Sequence, residues 1–171
     1  ICSAKTLGIT DIEGKAVMAE CYISNGLPGF DIVGLPDLSV KEARERVRAA
    51  AKSSGLGFPV SRITVNLAPA NLKKAGTHYD LPMLVGILAA TGSVRRPRPD
   101  IVYTGEVSID GIIRPISGVL PMAMAAKRAG IKRIYVPAEN AAEATLARGP
   151  AIIPVHTVSE LVSALNGETT L

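Results

Sequence analysis

At 171 residues and 17.8 kDa the chain is long enough for one domain with its own core, or two small ones. Apolar residues make up 47% and charged residues 20%, which excludes a disordered or collagen-like chain. The formal net charge of +4 is uneven: residues 1–100 carry 13 Lys and Arg against 9 Asp and Glu, and residues 101–171 carry 6 against 6, a weak pointer to a polyanion on the first part.

The first thirty-five residues read as strands. Val17, Ala19, Cys21 and Ile23 alternate with Met18, Glu20, Tyr22 and Ser24, the period of a half-buried strand. Turns at Asn25-Gly26 and Pro28-Gly29 lead into a short apolar run, Phe30 to Val33, that ends at Gly34. A helix follows, capped by Asp37 or Ser39, with Val40, Ala43, Val47, Ala50 and Ala51 on one face and a stop near Gly55. Arg62 to Leu67 is β-branched and alternating, hence a strand, and Pro69 ends it. The loop beyond holds Lys73 and Lys74, which are expected to be a solvated pair. Asp80 then reads as the N-cap of a helix to about Ala90, with Pro82 in its first turn; it is apolar nearly all round, so it belongs in the centre.

Arg95-Arg96-Pro97-Arg98-Pro99 is a stiff exposed connector, too short to separate domains, so residues 1–171 are taken as one. Val102 to Ile109 and Ile112 to Pro115 form a hairpin about Asp110-Gly111. A helix from Gly118 to Lys127-Arg128 stops at Gly130. Strand Arg133–Val136, helix Ala138–Ala147, strand Ile152–Val155 and a helix from Thr157 to Gly167 complete the chain, Thr157 and Glu160 having capping-box spacing. Strands alternating with helices here imply parallel pairing with crossovers.

No window approaches the roughly 18 continuous apolar residues of a membrane span, and the longest run, Leu81 to Ala90, contains Pro82. No secretory signal opens the sequence, which starts at Ile1 rather than Met and is expected to be a trimmed piece. Cys2 and Cys21 are too few for a disulfide framework or a Cys-based zinc site and read as free thiols of a cytoplasmic protein. With His78 and His156 as the only histidines, no metal site is expected. There is no P-loop, no dinucleotide fingerprint and no nucleophile elbow, so neither a cofactor nor bound ATP is expected in this stretch.

Longer motifs carry a resemblance. Thr104–Asn140 (TGEVSIDGIIRPISGVLPMAMAAKRAGIKRIYVPAEN) resembles the C-terminal proteolytic domain of Lon proteases. ISNGLPGFDIVGLPD at Ile23–Asp37, VKEARERVRAA at Val40–Ala50 and ITVNLAPANLKKAGTHYDLP at Ile63–Pro82 resemble the N-terminal domain of magnesium-chelatase-like AAA+ ATPases, the ComM/YifB competence-protein family. The resemblance covers essentially the whole chain. It implies an α/β fold of the Lon proteolytic-domain type, which is ribosomal protein S5 domain 2-like.

The same resemblance tests for peptidase chemistry. Lon-type enzymes place a Ser nucleophile in a G-P-S-A-G turn before the buried helix and a Lys base on the helix after a P-I-G-G-like turn. A desolvated Lys of lowered pKa can accept a hydroxyl proton. Here Gly76-Thr77-His78-Tyr79-Asp80 puts His78 where the Ser would stand, and Ile116-Ser117-Gly118-Val119-Leu120 puts Leu120 where the Lys would stand. Both halves of the dyad are replaced. Thr77 activated by His78 is the one rescue the turn offers, and adjacent side chains in a turn seldom face each other.

Lys41, Arg44, Arg48 and Lys52 are spaced 3, 4 and 4 apart on the helix after Asp37, which aligns them on one face. Such a stripe can follow a phosphate backbone, or it can be a solvated face with pairs such as Glu45 with Arg48. The resemblance implies a non-catalytic accessory domain whose partners are a downstream AAA+ module, further copies in a hexamer and DNA, with no membrane contact. In the longer protein it implies ATP and magnesium and a branch-migration helicase. The alternatives are a residual Lon-like peptidase and part of a magnesium chelatase-type ATPase.

Overall fold

Alternation along the strands builds a single mixed sheet. The computed structural model describes residues 1–8 and 14–167, so the strand reading over residues 9–13 lies outside the described residues. In chain order the strands are β1 (Cys2–Leu7), β2 (Ala16–Ser24), β3 (Gly29–Val33), β4 (Arg62–Ala68), β5 (Ile101–Tyr103), β6 (Glu106–Val107), β7 (Ile113–Arg114), β8 (Arg133–Pro137) and β9 (Ala151–Val155). The helices are α1 (Leu38–Lys41), α2 (Ala43–Ser53), α3 (Asp80–Ala90), α4 (Val119–Arg128), α5 (Ala141–Thr145) and α6 (Val158–Leu165). The sheet runs β3-β4-β2-β1-β5-β8-β9, and β6 with β7 forms a separate two-stranded ribbon. Because β1 pairs with β5, the sheet continues across the connector at residues 95–99.

Only β2 runs against the other six strands: it is antiparallel to β1 and β4, while β3–β4, β1–β5, β5–β8 and β8–β9 are parallel. The strands of the last half are parallel with helical crossovers, as their alternation with helices predicts. This is the Lon-type α/β fold.

Each face of the sheet has its own core. On one face α2, α3 and α6 cover Ala19, Cys21, Val65, Leu67, Tyr103 and Tyr135, with Val47, Leu84 and Leu161 as the helical counterparts. On the other, α4 and α5 cover Leu7, Val102, Ile134 and Val136 with Met122, Ala126 and Ala144. Fully burying one Leu or Ile side chain contributes about 1.5–3 kcal/mol, and aliphatic residues supply most of both cores. Helix α3 is buried from Asp80 to Leu88, as its uniformly apolar sequence predicts. It lies so close to β2 that a Cβ on Gly86 would sit 2.6 Å from the Cys21 sulfur.

Four local expectations are corrected. Asp80 is not the cap of α3: a 3-10 turn, Thr77–Tyr79, precedes the helix, and the Asp80 side chain turns inward instead. The long hairpin is divided, because Gly105 (φ 155°) kinks the chain between β5 in the main sheet and β6 in the ribbon. A side chain at Gly105 would meet Ile113 and Pro137 at 3.1 and 3.2 Å. The helix at Ala138–Ala147 opens as a 3-10 turn, Ala138–Asn140, and α5 is short. Lys74 is not solvated, being fully buried, whereas Lys73 is exposed.

The cap of α1 is as predicted, with Asp37 Oδ1 accepting from the Val40 amide at 2.9 Å. Thr157 caps α6 in the same way, at 3.1 Å to the Glu160 amide. Only half of the capping box forms, since the Glu160 carboxylate turns to His156 Nδ1 at 3.3 Å.

Candidate functional site

The turn before α3 and the turn before α4 hold the two positions that the resemblance assigns to a nucleophile and a base. His78 is buried, and its Nε2 lies 3.2 Å from the carbonyl oxygen of Leu7 on β1. Burial lowers its pKa to about 4, so the ring is neutral near pH 7 and serves as a donor to that carbonyl. Its ring also packs on Tyr79, with centroids 4.0 Å apart. No hydrogen bond joins the Thr77 hydroxyl to the His78 ring among the described residues. His78 is committed to β1 through Leu7 and to the neighbouring Tyr79 ring, not to Thr77.

The second turn is held by an amide clamp. Asn140 Oδ1 accepts from the Ile116 amide at 2.8 Å, and Asn140 Nδ2 donates to the Ile116 carbonyl at 2.9 Å. The R-P-I-S-G and V-P-A-E-N segments therefore touch. Gly118, left-handed at φ 80°, starts α4, and Leu120 stands partly buried in its first turn. An aliphatic side chain cannot accept a proton, so this position offers no base.

Two buried polar contacts escape a reading of the sequence. Arg46 on α2 forks onto Asp80, with Nε–Oδ2 at 2.7 Å and Nη2–Oδ1 at 2.9 Å, and Nη2 also donates to the Ser39 carbonyl at 3.0 Å. Asp80 also accepts from the Val107 amide at 3.2 Å. Burial nevertheless outweighs the guanidinium and pushes the Asp80 carboxyl up to about 6. Lys74 Nζ donates to the carbonyls of Gly34, at 2.7 Å, and Pro69. Burial lowers its pKa. In sequence Arg46 is one of several cations on a charged helix, and Lys74 is one of a pair in a polar loop. Asp80 lies 34 residues from Arg46 and Gly34 lies 40 residues from Lys74, so no local signal marks these contacts, although Pro69 is only five residues from Lys74.

The basic stripe survives with altered detail. Lys41 closes α1, and Arg44, Arg48 and Lys52 follow on α2 after the turn at Glu42. Lys41, Arg44 and Lys52 are exposed and Arg48 is half-buried. None of the four has an acidic partner among the described residues. The Glu45–Arg48 pair of a solvated face is not formed; Arg48 lies over the Phe58 ring, 5.7 Å from its centroid. Arg48, Lys52 and Phe58 line a groove of about 300 Å³ at the start of β3 and β4. Phe30 stacks beneath Phe58, with centroids 6.0 Å apart.

No cluster of three or more His, Cys, Asp or Glu side chains suited to a metal ion occurs among the described residues. No described helix is long and apolar enough to cross a membrane.

Comparison with known proteins decides the family. The family model described as subunit ChlI of Mg-chelatase matches residues 19–140. The chain belongs to that family. Competence protein ComM of Haemophilus influenzae is 37% identical over 161 residues, covering 94% of this chain and 31% of that protein. The uncharacterized protein YifB of Salmonella typhimurium is 45% identical over 136 residues, 79% of this chain and 27% of that one. A Lon protease of Mycolicibacterium smegmatis is 32% identical over 144 residues, 80% of this chain and 18% of the protease. The chain spans about a third of the length of the ComM-like relatives it matches. The ChlI-family match includes both dyad-position turns and the whole of α2.

Proposed function

We propose that this ChlI-family chain is a non-catalytic accessory domain of a magnesium-chelatase-like AAA+ ATPase. The observation that carries the reading is the occupation of both dyad positions. His78 is a neutral donor to the Leu7 carbonyl, and Leu120 has no basic atom. The likeness to Lon protease is then one of fold, without its chemistry. In the longer protein, ATP and magnesium belong to a separate AAA+ module, and the whole works as a hexameric helicase on branched DNA in the cytoplasm. This domain contributes to ring assembly or guides DNA through the stripe Lys41, Arg44, Arg48 and Lys52, whose cations have no acidic partner among the described residues.

Two assays on the 171-residue chain test this. Hydrolysis of an unfolded protein substrate is expected to be absent, and a hydrolysis that vanishes with Thr77→Ala would restore the peptidase reading. Duplex DNA is expected to bind weakly and without sequence preference, with a slope near −3 in log affinity against log salt for three to four neutralised phosphates. The double variant Arg44→Glu, Arg48→Glu should abolish duplex binding and lower the melting temperature by only a few degrees, since Arg44 is an exposed charge and the Arg48 contact with the Phe58 ring is worth about 1 kcal/mol. Persistence of duplex binding in that variant removes the stripe from the reading.

A further inference from the structure

A second basic cleft lies at the other flank of the same sheet end. Strands β5 and β8 are parallel, with Ile101 opposite Arg133 and Tyr103 opposite Tyr135. Residues two apart on a strand share a face, so Arg133 and Tyr135 point to the α6 side with Ile101 and Tyr103. The connector before β5 brings Arg95, Arg96 and Arg98 to the same place. The cleft holds about 350 Å³ and closes against the C-terminal end of α6.

Three properties distinguish this cleft from an ordinary charged surface. First, its cations are largely uncommitted. Arg98 is engaged by Asp100, with Nε–Oδ1 at 3.3 Å, and Lys132 approaches the same carboxylate at 4.0 Å. Arg95, Arg96 and Arg133 are exposed and have no acidic partner among the described residues. Second, two tyrosines more than nine-tenths buried line it, Tyr103 at 1% and Tyr135 at 6% exposure. Their rings stack with centroids 5.4 Å apart, and neither hydroxyl has a hydrogen-bond partner among the described residues. Third, the arginine-bearing segment is held in place. Asn166 Nδ2 at the end of α6 donates to the Ser93 carbonyl at 2.9 Å, and the Lys132 amide donates to the Asp100 carbonyl at 2.9 Å. Pro97 and Pro99 fix the backbone between those tethers, which lowers the ordering cost of binding.

We propose that this cleft, formed by Arg95, Arg96 and Arg133 over the Tyr103–Tyr135 pair, binds a segment of single-stranded nucleic acid. The inference deepens the DNA-guiding reading and rests on it. Planar guanidinium groups match phosphate oxygens in a two-point fork, and unpartnered phenol hydroxyls supply further donors. A cavity of about 350 Å³ accepts one nucleotide-sized unit, which a flexible single strand can turn into it and a base-paired duplex cannot. Both basic sites sit at the end where β3, β4, β5 and β8 begin, four strand intervals apart, which is about 19 Å at the usual inter-strand spacing.

The test uses fluorescence anisotropy of the chain with a labelled fifteen-nucleotide oligo-dT, the matching duplex and free dTMP. Arg96→Glu with Arg133→Glu should weaken oligo-dT binding at least tenfold and flatten its salt slope by about 1.4, the value for two lost contacts on a single strand. Arg96→Lys with Arg133→Lys should retain most of the binding, and circular dichroism should show both variants folded. Should the Glu pair unfold, Arg96→Gln with Arg133→Gln reads the same loss. Arg44→Glu with Arg48→Glu should change oligo-dT affinity less than threefold while abolishing the duplex signal. Unchanged oligo-dT binding in the Arg96, Arg133 variants overturns the cleft and leaves the stripe intact. Free dTMP bound as tightly as the oligomer also overturns it, because the site would then recognise a nucleotide and not a strand. Loss of duplex binding in neither variant pair counts against the guiding role itself.

Discussion

Arg46 and Asp80, thirty-four residues apart, form a two-point ion pair that fastens α2 to the first turn of α3. Asp80 is fully buried and Arg46 is one-fifth exposed at its side chain, so the pair sits at the inner edge of the helical layer. It takes the place of a helix cap and also holds the Val107 amide, which ties the ribbon to the same point. The turn carrying His78 is thereby braced from two sides, by β1 through Leu7 and by α2 through Arg46.

Asp80 and His78 should give opposite slopes of stability against pH. Burial raises Asp80 to about 6 from 3.8, so its folded form holds the proton more tightly. That contribution is present at low pH and is lost as pH rises through about 6. Burial lowers His78 to about 4 from 6.5, so its contribution is full above 6.5 and is lost as pH falls toward 4. Each window is worth up to about 3 kcal/mol, and in the wild type the two largely cancel. His78→Gln should leave only the Asp80 slope, with stability falling as pH rises, and Asp80→Asn should leave only the acid loss of His78. Urea unfolding between about pH 4 and 7 measures both; parallel profiles for the two variants would contradict the assignment.

Lys74→Met should destabilise the fold by about 2–3 kcal/mol, because the Gly34 and Pro69 carbonyls lose a charged donor in a site closed to water. The buried ammonium should also resist amine-labelling reagents in the folded protein, while Lys73 reacts. Mass spectrometry of a lightly labelled sample checks this. Equal labelling of the two lysines would show that the loop opens readily.

Cys2 and Cys21 face each other across β1 and β2, and both are buried free thiols. Burial pushes Cys21 up to about 12, so almost no thiolate exists near pH 8. A thiol reagent such as DTNB should therefore fail to modify Cys21 until denaturant is added. Rapid reaction of Cys21 in the native protein would place β2 at an exposed or fraying edge rather than beneath Gly86 of α3.

Most elements were legible because their signals are local. The alternation at Val17 to Ser24, the β-branched run at Arg62 and the apolar helix after Asp80 each declare themselves within a few residues. The caps at Asp37 and Thr157 depend on contacts three residues away and were legible for the same reason. Family motifs added the Lon-type topology, which local pattern alone does not supply. The sequence also named both dyad positions and the stripe at Lys41, Arg44, Arg48 and Lys52.

Tertiary structure decided the rest, chiefly where a partner comes from far along the chain. Asp80 looks like a cap until Arg46 reaches it from another helix, and Lys74 looks solvated until the Gly34 and Pro69 carbonyls close over it. The hairpin breaks at Gly105 because the main sheet captures β5, through pairing with β1 and β8. Arg133 and the 95–98 connector share a cleft only because β5 and β8 are neighbours in the sheet. Sequence determines which side chains alternate and cap; long-range pairing determines which of those side chains meet, because burial and charge pairing are properties of neighbours in space.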